Sequence, residues 1–163
     1  MNQLPDFWRT EVWHPLSVHF PIALLIIALL FKVLDVTTKG QSWSKAGFLL
    51  LLLGTAGAWV AVYTGSLADG IVSRKICDPT VLKAHENASY TLAWLFSGAL
   101  IVDTVQLAGI LNRYARMLKL VAIALMLTGS GFLMYTGHLG ATLVYQQGAG
   151  VYHPSDDCSE FDE

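Results

Sequence analysis

The chain has 163 residues, of which 54% are hydrophobic and 13% are charged, and its formal net charge is −2. This composition differs strongly from that of a soluble domain or a disordered chain. The sequence has no basic tract, which argues against nucleic-acid binding, and two cysteines are too few for a disulfide-rich secreted scaffold. We therefore expect a membrane protein.

Four stretches are long and apolar enough to cross the hydrocarbon core, which takes about 20 helical residues. Residues 22–31 and 48–53 are apolar at every position, which excludes the alternating strands of a barrel. The first helix is expected to continue through Lys32 and Asp35, with their polar heads at the interface, and the last span is expected to end near Gly137 and Gly140. The predicted spans cover residues 15–36, 46–68, 86–111 and 117–140.

The predicted fold class is thus an all-α integral membrane protein, a four-helix transmembrane bundle over residues 1–151 with an acidic extracytoplasmic tail over 152–163. Six of the ten basic residues lie in the connections between helices one and two and between helices three and four. The other face holds four basic and ten acidic residues, a net charge of about −6. Because basic residues concentrate on the cytoplasmic side, we expect both termini outside the cytoplasm, in a multi-pass protein of the bacterial inner membrane.

Both cysteines fall on this predicted outer face. Cys77 lies in the loop after the second helix and Cys158 in the tail. A disulfide between them would persist in that compartment. Two unrelated thiols are an equally good interpretation of the sequence.

The chain also contains a weak internal repeat. Residues 57–67 match residues 129–139 at an offset of 72 through a shared Tyr-Thr-Gly, while His85 follows His14, and Asp103 follows Lys32, by 71 residues. If the two helical hairpins are duplicates, they pack about a pseudo-two-fold axis along the membrane normal. His14 then faces His85 across that axis, and Lys32 meets Asp103 near the cytoplasmic end. Chance similarity between apolar helices is the alternative interpretation.

The five histidines are the most informative residues of the sequence. His14 and His19 begin the first helix, His85 begins the third, His138 ends the fourth and His153 lies in the tail. An up-down bundle brings all five to one face of the membrane. Polar residues at the end of a span face the bundle interior or water more often than lipid. Histidines scattered at the interface without a common role are the competing interpretation.

Imidazoles on facing helices, with no cysteine or carboxylate at ligand spacing, are typical of haem iron held by one histidine from each of two helices. His14 and His19 lie about 140° apart around a helix, so they are expected to serve different partners. We expect His14 to pair with His85 and His19 with His138, which gives two haem b groups; one haem with two spare histidines is the alternative. Replacement of His85 or His138 is predicted to remove a haem band, and replacement of His153 is not.

Other features fit a bound haem without requiring one. Glycines along helices two and four leave space for a flat macrocycle, although small residues also serve ordinary helix packing. Arg74 and Lys75 are candidate partners of haem propionates on the outer face, or else belong to a solvated loop. No Cys-x-x-Cys-His motif occurs, so covalent attachment is not expected.

Two sequence blocks resemble a bacterial four-helix membrane family, domain of unknown function 2231. They are His14-Pro-Leu-Ser-Val-His-Phe-Pro-Ile-Ala-Leu-Leu and Gly137-His-Leu-Gly-Ala-Thr-Leu-Val-Tyr-Gln-Gln-Gly. The resemblance covers residues 14–151, and the histidine-bearing positions of the family match His14, His19, His85 and His138. It implies the four-helix membrane fold and supplies no biochemical activity. The tail after His153 falls outside it.

Because the candidate ligands gather at one face, the expected function is confined to one side of the membrane. We expect a b-type cytochrome-like subunit that relays electrons between quinol, or a larger respiratory or photosynthetic complex, and an extracytoplasmic c-type cytochrome. An independent enzyme is less favoured, since no nucleophile motif surrounds Ser17, Ser66 or Cys77. Two other classes stay open: a cofactor-free structural or assembly subunit of a membrane complex, and a protein that handles copper or zinc.

Overall fold

The computed structural model describes residues 8–38 and 41–152, and in these ranges it consists of four long helices and their connections. The helices are α1 (Thr10–Thr38), α2 (Gln41–Val72), α3 (Pro79–Leu107) and α4 (Ala115–Gln147), with one 3-10 turn (Asn112–Tyr114) before α4. At 1.5 Å per residue, each helix is longer than the hydrocarbon core is thick. The predicted four-helix membrane fold is confirmed, with all four helices apolar and long enough to span the bilayer.

The helix bounds differ from the predicted spans mainly at the ends. α3 ends at Leu107, four residues before the predicted limit. α4 continues through Gly137 and Gly140 to Gln147 and ends where Gly148 adopts a φ of 65°, a left-handed conformation that favours glycine at a helix C-terminus. The two earlier glycines therefore do not end the helix. Both termini of the described chain lie at one end of the bundle, here called the terminal end.

The start of α3 is marked by a cap that the residue types explain. Asp78 accepts hydrogen bonds from the backbone N–H and the hydroxyl of Thr80, at 2.9 and 2.6 Å, and Pro79 occupies the first helical turn. Both are preferred at these positions, because the carboxylate satisfies a free amide and proline needs no donor there. The hydroxyl and amide of Thr80 hold the pKa of the Asp78 carboxyl below its usual range.

The bundle consists of two helical hairpins. α1 packs along α2 and α3 along α4, while α2 with α3 and α4 with α1 form the two less extensive contacts between hairpins. α1 and α3 thus occupy opposite corners, and their side chains meet at the bundle centre. Three pairs of completely buried residues form the middle of the core: Leu25 and Phe96, Ala28 and Ala99, Leu51 and Met126.

Equivalent contacts relate the two hairpins to each other. A Cβ atom on Gly54 of α2 would lie 2.8 Å from Leu25 of α1, and one on Gly129 of α4 would lie 2.9 Å from Phe96 of α3. These contacts give an offset of 71 residues between α1 and α3 and of 75 between α2 and α4. The duplication is therefore present in the packing. The offset of 72 predicted for α2 and α4 is wrong by three residues, close to one helical turn.

The end opposite the termini contains buried ion pairs between the hairpins. Lys32 Nζ lies 2.5 Å from Asp103 Oδ2, and Lys119 Nζ lies 2.7 Å from Asp35 Oδ2. Lys32 also donates to the carbonyl of Ser44 at 3.1 Å. The predicted meeting of Lys32 and Asp103 is confirmed. The expectation that Lys32 and Asp35 reach the interface is wrong, because both side chains are 4% exposed and point into the bundle, where each has an opposite charge.

Candidate functional site

Two histidines from opposite corners of the bundle meet near its terminal end. His14 lies in the second turn of α1 and His85 in the second turn of α3, and both side chains are half-buried. Their ring centroids are 5.9 Å apart and their ring planes cross at 89°. In a two-fold arrangement, a residue that lies close to the axis contacts its own equivalent. The repeat predicts this meeting of His14 with His85.

Each ring is held by the neighbouring helix of its own hairpin. His14 Nδ1 lies 2.9 Å from the carbonyl oxygen of Ala61, and His85 Nδ1 lies 3.0 Å from that of Thr136. A carbonyl oxygen can only accept, so Nδ1 carries the proton in both rings. The lone pair of each neutral imidazole is then on Nε2. Metal-binding histidines are commonly oriented by such a bond from their other nitrogen.

A glycine on the same helix lies against each ring. A Cβ atom on Gly65 would lie 3.1 Å from His14 Cε1, and one on Gly140 would lie 3.3 Å from His85 Cε1. Each glycine lies four residues after the residue whose carbonyl accepts from the ring. The two half-sites therefore have the same arrangement: a carbonyl that accepts from the ring and, one helical turn later, a glycine that leaves room for the edge of the ring.

The two rings line a cavity of about 570 Å³ in the terminal half of the bundle. All four helices contribute to its walls, which are mainly apolar, and the buried residues Pro21, Leu25 and Leu92 close it toward the bundle centre. Carboxylates occur among its lining residues near the terminal end: Glu11, Asp69 and Glu86. The cavity combines an apolar interior with two oriented imidazoles and an acidic entrance.

The other predicted site residues lie elsewhere. The side chains of His19 and His138 are exposed, and neither residue lines the cavity. Arg74 and Lys75 are likewise exposed, in the connection between α2 and α3, and do not line it. His153 and Cys158 fall outside the described residues, so the disulfide of Cys158 with Cys77 stays a prediction.

Two features of the site were not predicted from the sequence. The carbonyls that orient the rings belong to Ala61 and Thr136, and any residue type supplies a carbonyl, so no sequence signal marks them. The other is the contact of Arg9 with two residues of the cavity lining: its guanidinium lies 3.5 Å from Glu11 Oε1 and donates to the carbonyl of Gly150 at 3.4 Å. Arg9 and Gly150 are 141 positions apart in the sequence, so no local pattern predicts this contact.

The described part of the chain contains no cluster of three or more His, Cys, Asp or Glu side chains arranged to hold a metal ion. A closed zinc site uses four protein ligands and a catalytic one three. Two imidazoles are too few for either. They suffice for iron in a porphyrin, which brings four equatorial nitrogens and needs only axial ligands from the protein.

Comparison with known proteins supports the architecture. The model of a family described as a predicted membrane protein, DUF2231, matches residues 12–153. This range contains α1 from its third residue onward, the whole of the other three helices and both cavity histidines. No curated protein and no solved structure matches the chain significantly.

Proposed function

The chain belongs to the DUF2231 family of predicted membrane proteins, and we propose that it is a b-type cytochrome-like electron-transfer subunit. His14 and His85 would hold one haem b, in the half of the bundle near the extracytoplasmic face. The observation that carries the proposal is the meeting of two oriented imidazoles at the wall of an apolar cavity.

The distance between the rings fits two imidazoles that would hold one metal ion. A metal–imidazole bond is about 2.0 Å long and the ring centroid lies about 1 Å behind its nitrogen, so two rings that shared one ion would have centroids about 6 Å apart. The observed distance is 5.9 Å, and the ring planes cross at 89°. Because each Nδ1 bonds to a carbonyl oxygen, of Ala61 or of Thr136, the Nε2 atoms would be the ones available to the iron.

The cavity supports a group of porphyrin size. Its volume of about 570 Å³ falls within the range of about 300–1,000 Å³ that is usual for sites of organic ligands. The walls next to the histidines carry small residues, among them Ala58, Ala61, Gly65 and Gly140. Apolar walls suit the macrocycle, and they raise the cost of placing an unbound charge there.

When bound, a haem with two axial histidines supplies reversible one-electron transfer. The residues of the chain hold the ligand rings in place, because each Nδ1–H donates to a fixed helix carbonyl. They also limit water around the group, since Pro21, Leu25 and Leu92 close the cavity from the bundle centre. Electron exchange therefore takes place at the terminal end.

The proposal is confined to one haem. His19 and His138 are exposed and stand apart from the cavity lining, and Arg74 and Lys75 do not line it either. The proposal leaves out two expectations from the sequence. These are a second haem on His19 and His138, and propionate contacts with Arg74 and Lys75.

We assign the protein to the bacterial inner membrane with both termini extracytoplasmic, on the distribution of basic residues. Since one haem near one face cannot carry electrons across the bilayer, the subunit works on one side. It passes electrons from quinol, or from a larger respiratory or photosynthetic complex, to a c-type cytochrome. The acidic outer face favours a basic partner.

The experiment is purification of the full chain in mild detergent, followed by a pyridine haemochrome assay and EPR spectroscopy of the oxidised protein. We expect one haem b per chain and the strongly anisotropic low-spin ferric signal of crossed axial imidazoles. A colourless protein of full helicity that takes up no haem would contradict the proposal. That result would favour a cofactor-free structural subunit.

A further inference from the structure

The histidine cavity extends to the bundle surface between α1 and α4. Its wall there includes Val18, which lies about 100° around α1 from Ser17, the residue that hydrogen-bonds to Thr64 of α2 at 2.9 Å. It also includes residues that are exposed on the outside of the bundle: Pro15, Gly137 and Val144. A residue that lines a cavity and is exposed marks a place where the cavity opens. We call Pro15, Val18, Gly137 and Val144 the apolar window.

The pseudo-two-fold relates this window to a second one between α2 and α3. With the offsets of 71 and 75, the equivalent positions are Glu86, Ser89, Val62 and Asp69, and all four also line the cavity. The exposed Ser66 lies at the same place. We call Val62, Asp69, Glu86 and Ser89 the polar window.

The two windows differ in chemistry although their backbones are equivalent. The polar window has two carboxylates and a hydroxyl where the apolar window has a proline and two valines. No side chain of the apolar window can ionise or donate a hydrogen bond. A charged or strongly hydrated molecule would lose its solvation there without replacement. The apolar window therefore suits a neutral ligand that is dissolved in the lipid.

The apolar window is also wide at its centre. A Cβ atom on Gly137 would have no heavy atom within 4 Å, in contrast to one on Gly140, which would contact His85. Because Gly137 both lines the cavity and is exposed, the cavity wall is open to the surface of α4 at this position. A flat ring can lie against the wall there without a clash with a side chain of position 137.

We propose that the apolar window holds the ring of a quinol from the bilayer at the edge of the His14–His85 cavity, beside the group that the two histidines bind. The inference rests on the proposed function, because it names the reductant and its route to the same site. Quinol is neutral, flat and soluble in lipid, which matches the lining of the window. Its oxidation to quinone releases two electrons and two protons: the electrons reduce two equivalents of c-type cytochrome in single steps, and the protons enter the aqueous phase.

The first test measures access to the window by cysteine labelling in lipid vesicles, with Cys77 and Cys158 replaced by serine. Gly137→Cys is compared with Gly131→Cys, since position 131 is also on α4, also has open space for a Cβ and lies outside the cavity lining. We expect decylubiquinone to slow the reaction of a lipid-soluble maleimide severalfold at position 137 and not at 131. Equal rates with and without the quinone at position 137, or equal protection by hexadecane, would overturn the proposal.

The second test uses a bulky side chain at the same two positions. Reduction by decylubiquinol is expressed per haem that dithionite reduces, so that a change in haem content does not enter the comparison. Gly137→Leu is expected to lose most of this reduction, whereas Gly131→Leu keeps it. Unchanged reduction by decylubiquinol in Gly137→Leu would overturn the window.

The two proposals fail separately in these tests. Haem in the purified protein without quinone protection at position 137 refutes the window and leaves the haem. Protection at position 137 in a protein that takes up no haem refutes the haem and supports the window.

Discussion

Replacement of Lys32 by methionine should destabilise the bundle far more than an ordinary loss of a charge pair. The side chains of Lys32 and Asp103 are 4% and 2% exposed, and the ion pair they form is 2.5 Å long. Methionine keeps most of the length of the side chain but leaves Asp103 buried without its partner. Breaking a buried pair in this way costs about 3–5 kcal/mol. This corresponds to a change of roughly 100-fold or more in the unfolding equilibrium.

The control is an ion pair of nearly the same length at the surface. Lys83 Nζ lies 2.6 Å from Glu86 Oε2, but its side chain is 67% exposed, and exposed pairs contribute little to stability. Lys83→Met should therefore leave unfolding almost unchanged. Unfolding is measured by far-UV circular dichroism as the mole fraction of SDS in mixed micelles is increased. Equal effects of Lys32→Met and Lys83→Met would refute the argument that burial determines the difference.

A charge exchange separates the pairing from the loss of packing. Because Lys32 and Asp103 occupy equivalent positions on the two-fold axis, the double variant Lys32→Asp/Asp103→Lys should recover part of the stability that either single variant loses. The bond from Lys32 to the carbonyl of Ser44 is not restored, since a carboxylate cannot donate to it. A double variant as unstable as the sum of the two single variants would show that the charges do not interact as the structure indicates.

The remaining predictions concern the close contacts and the outer face. Gly129→Ala should destabilise the bundle by about 1–3 kcal/mol, because its Cβ would lie 2.9 Å from the buried Phe96, whereas Gly131→Ala meets open space and should stabilise α4 by about 0.5–1 kcal/mol. SDS titration measures the stability of both variants, and a change in stability of the same sign in both would contradict the packing described. Gly65→Ala should lower haem content and alter the EPR signal, because its Cβ would lie 3.1 Å from His14, and Gly131→Ala should change neither; unaltered spectra of Gly65→Ala would count against His14 as a ligand. Electron exchange with a basic c-type cytochrome should slow as salt is added, since screening weakens its attraction to the acidic face. Stopped-flow rates that are faster with an acidic partner would argue against this interface.

The sequence predicts the fold class and the residues that meet on the axis with good success. The offset of 71 between α1 and α3 correctly brings His14 to His85 and Lys32 to Asp103. This works because residues on a two-fold axis contact their own equivalents, so one correct offset is enough to predict the contact.

The register of α2 and α4 could not be predicted in the same way. The shared Tyr-Thr-Gly suggests an offset of 72, but its glycines pack differently in the two helices. A Cβ atom on Gly65 would lie 3.1 Å from His14, whereas one on Gly137 would have no heavy atom within 4 Å. The packing instead aligns Gly54 with Gly129, the glycines that lie closest to the side chains of the facing helices. A short shared motif therefore does not determine the register.

The rotation of each helix decides which histidines line the cavity, and the sequence does not give it. Four histidines beside a span at one face suggest two haems, and of these four His14 and His85 line the cavity. His19 lies about 140° from His14 around α1 and is exposed. It therefore does not reach the cavity, although it lies near the same end of the same helix. His85 and His138 also both lie near the terminal end, but of these two residues only His85 lines the cavity.

The most direct test of the central claim is the reduced-minus-oxidised spectrum of four alanine variants. His14→Ala and His85→Ala should each abolish the low-spin haem band, while His19→Ala and His138→Ala should keep it, with circular dichroism to show that all four remain helical. Full colour in both His14→Ala and His85→Ala would contradict the account, as would loss of the band in His138→Ala alone.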